Sequence, residues 1–89
     1  MADAYAISGV DQTLIAGPAG VAGWSFRETA GAVAAVRLRD GTVSGEIFAA
    51  VSLPANGSHA VMLTRALYFP TAVFVDIVSG AVEGAVWVE

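Results

Sequence analysis

The side chains that could perform chemistry are few, and their spacing matches no familiar catalytic arrangement. His59 is the single histidine, and it directly follows Ser58. Adjacency in sequence does not make a nucleophile and a base, because a catalytic triad also needs an acid that orients the histidine. The G-x-S-x-G sequence that carries the serine of many hydrolases does not occur. His59 is therefore interpreted as a solvated loop residue, and we predict no catalytic residue.

The acidic residues and glycines form no metal or nucleotide motif. The eight carboxylates are scattered, without the spacing of a calcium loop or of an H-E-x-x-H zinc site. Cysteine is absent, which excludes thiolate-bound zinc and disulfides. Asp40 is interpreted as a turn residue, and Glu28, beside Arg27, as a local surface charge. The sequence predicts no enzymatic activity, no cofactor and no metal site.

The elements that carry these residues are predicted to be β-strands. Apolar and polar residues alternate with a period of two, which is typical of half-buried strands. Frequent turns between short strands predict an all-β fold, either a small antiparallel β-sandwich or a jelly-roll-like barrel. We expect residues 1–89 to form it as a single domain. The stronger predicted strands are 24–29, 34–39, 47–53, 73–78 and 85–89, and the weaker ones are 4–8, 12–16, 60–63 and 67–69.

Two turn signals are specific enough to predict strand connections. Asp40-Gly41 lies between two alternating segments, and an Asp-Gly pair suits a tight turn in which the glycine has a positive φ. Ser79-Gly80 separates the last two strong strands. The sequence therefore predicts a hairpin at each of these two places.

Four aromatic residues are predicted to lie at an interface: Trp87, Phe48, Phe74 and Trp24. Trp87 alternates with two valines, and Phe48 and Phe74 each stand opposite an aliphatic row. Apolar side chains on both faces of a strand indicate a sheet that is covered on both sides. The same aromatic residues are also compatible with ordinary core packing or with a platform that binds a sugar.

The composition points to a partner. Apolar residues make up 56% of the chain and charged residues only 13%, against about 25% charged in an average globular domain. So few charges leave part of the surface apolar, which favours coverage by another molecule. We expect a homo-oligomer, such as a trimer. The alternative is an alanine-rich domain that needs no partner.

The charge and hydropathy patterns argue against two classes of partner. The net charge is −4 and lysine is absent, so there is no basic patch for nucleic acid. The apolar segment 66–75 is too short to span a bilayer and contains Pro70. The N-terminal segment lacks the features of a signal peptide. We therefore expect no nucleic-acid or membrane partner, and synthesis in the cytoplasm.

Three segments together resemble a known group of proteins. They are G-W-S-F-R-E-T at 23–29, V-R-L-R-D-G at 36–41 and V-D-I-V-S-G-A-V-E-G at 75–84. In these segments the chain is similar to small virion-associated proteins of tailed phages that infect actinobacteria. The similarity covers roughly residues 14–89 and consists of strand and turn patterns, not of catalytic signatures.

The resemblance implies a structural role in a phage particle. The first interpretation is a capsid decoration or minor capsid protein that oligomerises and binds the capsid lattice. Its partners would be further copies of itself and the major capsid protein or another virion protein. It would be located in the virion after synthesis in the host cytoplasm. The alternative is a tail-associated or carbohydrate-binding, receptor-binding module.

Overall fold

The computed structural model describes residues 2–89, so Met1 lies outside the described part of the chain. Within this range no helix is long and apolar enough to cross a membrane. The secondary structure consists of eight strands. They are β1 (Asp3–Ala6), β2 (Gln12–Ile15), β3 (Ala19–Glu28), β4 (Ala34–Asp40), β5 (Glu46–Leu53), β6 (Ser58–Phe69), β7 (Val73–Ser79) and β8 (Val82–Val88).

The strands form two four-stranded antiparallel sheets that pack against each other. The first sheet has the order β1-β8-β3-β6, and the second has the order β2-β7-β4-β5. Strands β1 and β8, β2 and β7, β3 and β6, and β4 and β5 are antiparallel partners. The chain therefore runs as one long hairpin that is rolled into a sandwich, which is the jelly-roll connectivity. The predicted all-β sandwich is confirmed.

The core lies between the two sheets and is built from the alternating apolar rows. In β8, Val86 is fully buried, and in β3 Phe26 is nearly so. Burying one such side chain contributes about 1.5–3 kcal/mol. The same rows fix which face of each strand points outward, because successive side chains in a strand alternate between the two faces. The largest fully buried apolar side chains are Phe26, Phe69, Leu38, Leu53, Val21, Val36, Val73, Val75 and Val86.

Two of the weaker predicted strands, 60–63 and 67–69, belong to one strand, β6. Its pairing with β3 passes directly from Gly23–Met62 to Val21–Leu67. Residues 63–66 of β6 therefore have a single opposing residue, Ala22, and bulge out of the ladder. Such a bulge interrupts the backbone groups that an edge strand offers to other strands.

The predicted hairpin at Ser79-Gly80 is wrong, because β7 lies in the second sheet and β8 in the first. Gly80 does have a positive φ, of 81°. A Cβ placed on Gly80 would lie 2.5 Å from the Cβ of Ala34. The turn is thus pressed against the start of β4, and it carries the chain from one sheet to the other.

The predicted hairpin at Asp40-Gly41 is confirmed, although its loop is longer than a tight turn. Strands β4 and β5 are antiparallel partners, and Asp40 stands opposite Glu46. Gly41 has a φ of 97°. The Asp40 carboxylate accepts a hydrogen bond of 2.8 Å from the backbone N–H of Thr71, and Gly41 donates to the carbonyl of Ala72. The turn therefore also ties β4 to the connection between β6 and β7.

Replacement of Gly41 by valine is expected to destabilise the fold by roughly 1–2 kcal/mol. The cause is the positive φ, since a Cβ at this position would meet only the Thr71 side chain, at an ordinary distance of 3.6 Å. Chemical denaturation of the purified protein measures the change. Gly17→Val is the control, because nothing lies within 4 Å of a Cβ at Gly17. Equal stability of the two variants would contradict the expectation.

Candidate interaction face

The outer face of the first sheet is a largely apolar surface that no other part of residues 2–89 covers. In β8, Val82, Val86 and Val88 are buried in the core, so the residues between them project outward. In β3, Phe26 is buried and its neighbour Arg27 is exposed. We call this surface the Trp87 face. It comprises Ala4, Ala6, Gly23, Ser25, Arg27, Ser58, Ala60, Met62, Glu83, Ala85 and Trp87.

Strand register arranges the Trp87 face in three rows that run across the sheet, from β1 to β6. The first row is Ala4, Trp87, Gly23 and Met62. The second row is Ala6, Ala85, Ser25 and Ala60. The third row is Glu83, Arg27 and Ser58, beyond the end of β1. Within these rows, the two large apolar side chains stand in the first row and the two charges in the third.

A groove of about 310 Å³ opens on this part of the sheet. Trp87 and Met62 border it, and the small residues Ser25 and Ala60 leave the space between them. Ser25 is the only lining residue with a hydroxyl group. The full lining is Trp24, Ser25, Ala60, Val61, Met62 and Trp87.

The outer face of the second sheet has a different character. Phe74 lies on this outer face and is half-buried. Its cross-strand neighbours are Thr13 and Arg39. The Arg39 Nε donates to Asp76 Oδ2 at 2.8 Å, and the Arg39 Nη1 donates to the carbonyl of Gly45. Arg39 and Asp76 therefore satisfy each other on this face, which sets it apart from the first sheet, where the outward charges stand in a single row.

The four predicted interface residues do not lie together. Trp87 and Phe74 point outward, but from different sheets. Trp24 belongs to the core and is only 8% exposed, although it also contributes to the groove.

The sequence predicted that Phe48 stands opposite an aliphatic row, and this prediction is wrong. The ladder between β4 and β5 passes from Leu38–Ala49 to Arg39–Ile47, so Phe48 is an extra residue in a bulge. Phe48 packs against the core, with its ring 5.0 Å from that of Phe69. Ile47 is instead 44% exposed. A bulge shifts the alternation by one residue, which the period-two pattern alone does not reveal.

His59 is not the loop residue that the sequence indicated, because it lies in β6 at the free edge of the first sheet. There it contacts Trp24. The indole Nε1 of Trp24 donates to His59 Nδ1 at 3.2 Å, and the two rings stack with an angle of 21° between their planes. This bond satisfies the N–H of a buried tryptophan. Within residues 2–89 no three histidine, cysteine, aspartate or glutamate side chains come together as a metal site would require.

Glu28 is not the local surface charge that the sequence predicted, because it is 0% exposed. Its carboxylate accepts hydrogen bonds from the backbone N–H groups of Asn56, Ala30, Gly31 and Ala32, over 2.7–3.2 Å. The N–H of Asn56 contributes most to lowering the pKa of Glu28, and burial opposes this effect. All of these donors are main-chain groups, so Glu28 joins the loop 29–33 to the loop 54–57.

Sequence reasoning missed the small residues that shape the groove, Gly23, Ser25 and Ala60. The signal was present, since Ser25 alternates with Trp24 and Phe26. However, Ala60 and Gly23 join the site only through strand register, which a local sequence pattern does not predict.

The comparisons of this chain with protein-family models, curated proteins and solved structures gave no match.

Proposed function

We propose that the protein is a non-enzymatic structural protein of a tailed-phage virion, and specifically a capsid decoration or minor capsid protein. It would oligomerise, bind the major capsid protein or another virion protein, and reach the particle after synthesis in the host cytoplasm. The observation that carries the proposal is the Trp87 face, an uncovered apolar sheet surface with its charges confined to one row. The sequence resemblance to virion-associated proteins of actinobacterial phages supports the same role.

The energetics of the Trp87 face suit assembly. Covering the exposed parts of Trp87 and Met62 is favourable by about 25 cal/mol per Å² of apolar surface, and tryptophan is frequent among residues that dominate binding energy. A capsid repeats the same contact many times, so linked subunits can fill a lattice through individually weak sites. The net charge of −4 disfavours non-specific adhesion to DNA. Jelly rolls occur in viral capsid proteins, although a fold alone does not define a function.

A carbohydrate-binding role in a tail or receptor-binding protein is the second candidate. The groove beside Trp87 favours it, because an aromatic ring at the side of an open groove can stack on a sugar. Jelly rolls also include lectins. The lining residues argue against tight sugar binding, because Ser25 supplies their only side-chain hydroxyl. Sugars are recognised through several placed polar groups.

The test is to locate the protein in purified virions by cryo-electron microscopy and to measure its occupancy. We expect density on the head, and a several-fold lower occupancy for Trp87→Ala at nearly unchanged fold stability. Phe74→Ala, on the outer face of the second sheet, is the comparison and should retain more of the occupancy. Density only in the tail or at a receptor-binding tip would reject capsid decoration, and glycan binding there would support the second candidate.

A further inference from the structure

We infer that the Trp87 face is buried against the same face of a second copy of this chain. The two copies would be related by a two-fold axis that lies between the sheets, parallel to the strands and midway between β8 and β3. This inference names one partner within the proposed function, and it can be tested on the isolated protein. A two-fold contact uses the same patch on both subunits, so the patch must be complementary to itself.

The first row of the face meets this condition in shape. Strands β8 and β3 are the central strands of the sheet, so the axis reverses the row Ala4, Trp87, Gly23, Met62 in the second copy. Trp87 then lies over the partner's Gly23, and Met62 lies over the partner's Ala4. Each large side chain meets the smallest available residue. Met62 borders Gly23 and is 61% exposed, and its unbranched side chain can move aside for the incoming ring.

The third row meets the same condition in charge. Arg27 and Glu83 are register partners on the two central strands, so the axis exchanges them. Arg27 lies over the partner's Glu83, and Glu83 lies over the partner's Arg27. Neither side chain forms an ion pair inside residues 2–89. Both are exposed, so the two charges at this end of the face can pair across the contact.

The second row lets the two sheets approach. Ala6, Ala85, Ser25 and Ala60 carry no bulky side chain, so nothing in the middle of the face holds the copies apart. Sheets that pack face to face lie about 10 Å apart, with their strands within about 30° of each other. A two-fold axis along the strands produces such an aligned packing.

The size of the face sets the expected strength. The eleven residues of the face, each occupying about 4.8 Å by 6.6 Å of sheet, cover roughly 350 Å² per copy. The pair would then bury about 700 Å², which is less than most stable specific interfaces bury. We therefore expect a weak, reversible dimer.

Other surfaces are less suited to a second copy. The edge strands β1 and β2 have four residues each. The two longer edges, β5 and β6, carry bulges at Phe48 and at residues 63–66, and bulges oppose pairing between edges. On the second sheet, the outward charges of Arg39 and Asp76 pair with each other, and Arg39 also donates to the carbonyl of Gly45.

Sedimentation equilibrium of the purified protein over a range of concentrations tests the inference. We expect a monomer–dimer equilibrium that Trp87→Ala weakens at least tenfold and that Ile47→Ala, an exposed apolar residue of the second sheet, leaves unchanged. Arg27→Glu should weaken the dimer, and the double variant Arg27→Glu/Glu83→Arg should restore it. Thermal unfolding of each variant at low concentration shows whether the monomer remains folded.

Cross-linking gives a second measurement that does not depend on affinity alone. The chain has no cysteine, so Ser25→Cys introduces a unique thiol near the axis. A thiol-reactive cross-linker that spans about 10 Å should join two copies of this variant. Ser52→Cys, on the exposed face of β5, is the matched control and should not be joined.

A folded protein that stays monomeric at millimolar concentration would overturn the inference, as would a dimer that is insensitive to both Trp87→Ala and Arg27→Glu. These outcomes are separable from the proposed function. A dimer with the expected behaviour but no density in the virion would contradict the function alone. Occupancy on the head by a protein that never dimerises would contradict the inference alone.

Discussion

Gly84→Ala is expected to lower the free energy of unfolding by roughly 3 kcal/mol or more. Gly84 lies in β8, a central strand, with a φ of 147° that residues other than glycine rarely adopt. A Cβ there would lie 1.9 Å from the backbone carbonyl oxygen of Ser25 and 3.1 Å from the Cα of Phe26. Because both contacts are with backbone, no side-chain rotation relieves them, and β3 and β8 would have to separate.

Thermal unfolding checks the Gly84 prediction. For a domain of this size, 3 kcal/mol corresponds to a fall in the melting temperature of about 12–24 °C. Gly17→Ala is the matched control, since nothing lies near its added methyl group. If Gly84→Ala melted within 2–3 °C of the parent protein, the close approach of β8 to β3 would be refuted.

Glu28→Gln is expected to destabilise the protein at neutral pH and to do so less as the pH falls. The carboxylate accepts four backbone hydrogen bonds. An amide has only one oxygen, and its NH₂ group would face N–H donors. Buried N–H groups without partners are costly, so we expect a fall in the melting temperature of roughly 5–15 °C at pH 7. Glu46→Gln, at an exposed residue outside the Trp87 face, is the control and should change it little.

The pH dependence follows from the lowered pKa of Glu28 in the folded protein. A depressed carboxyl pKa contributes stability that is fully present above the unfolded-state value, about 4.3. That contribution is lost as the pH falls through the lower, folded-state value. The stability difference between the parent protein and Glu28→Gln should therefore be constant from pH 7 to about 5.5 and shrink below about pH 4. A difference that grows on acidification would show that the pKa is raised instead.

Much of the fold can be predicted from local patterns. The alternation of Trp24 and Phe26 with Ser25 and Arg27 separates the two faces of β3, although Trp24 was predicted at an interface and lies in the core. Asp40-Gly41 correctly predicts the connection between β4 and β5, because positive φ at a glycine is a local preference. These predictions succeed where the physical cause lies within a few residues along the chain.

The candidate site is less predictable, and the reasons differ from residue to residue. The sequence places Trp87 on the strand face opposite its two flanking valines, and the structure shows that this face is the outer one. The bulge at Phe48 reverses the alternation, and the fit of Phe48 against Phe69 in the core depends on a strand far away in sequence. Glu28 looks like a surface charge beside Arg27 until Asn56, 28 residues away, supplies a donor to its carboxylate.

The sequence by itself determined the all-β class, the separation of Trp87 from its flanking valines and of Arg27 from Phe26 onto opposite strand faces, and the low charge that leaves an apolar surface. These properties depend on residue type and on alternation within a strand. Only the tertiary structure decided that the chain crosses between the sheets at Ser79-Gly80 and that Glu28 is buried. It alone also places Gly23 opposite Trp87, and Glu83 opposite Arg27. Register and sheet order arise from packing between distant strands, and the self-complementary rows of the Trp87 face exist only after that packing.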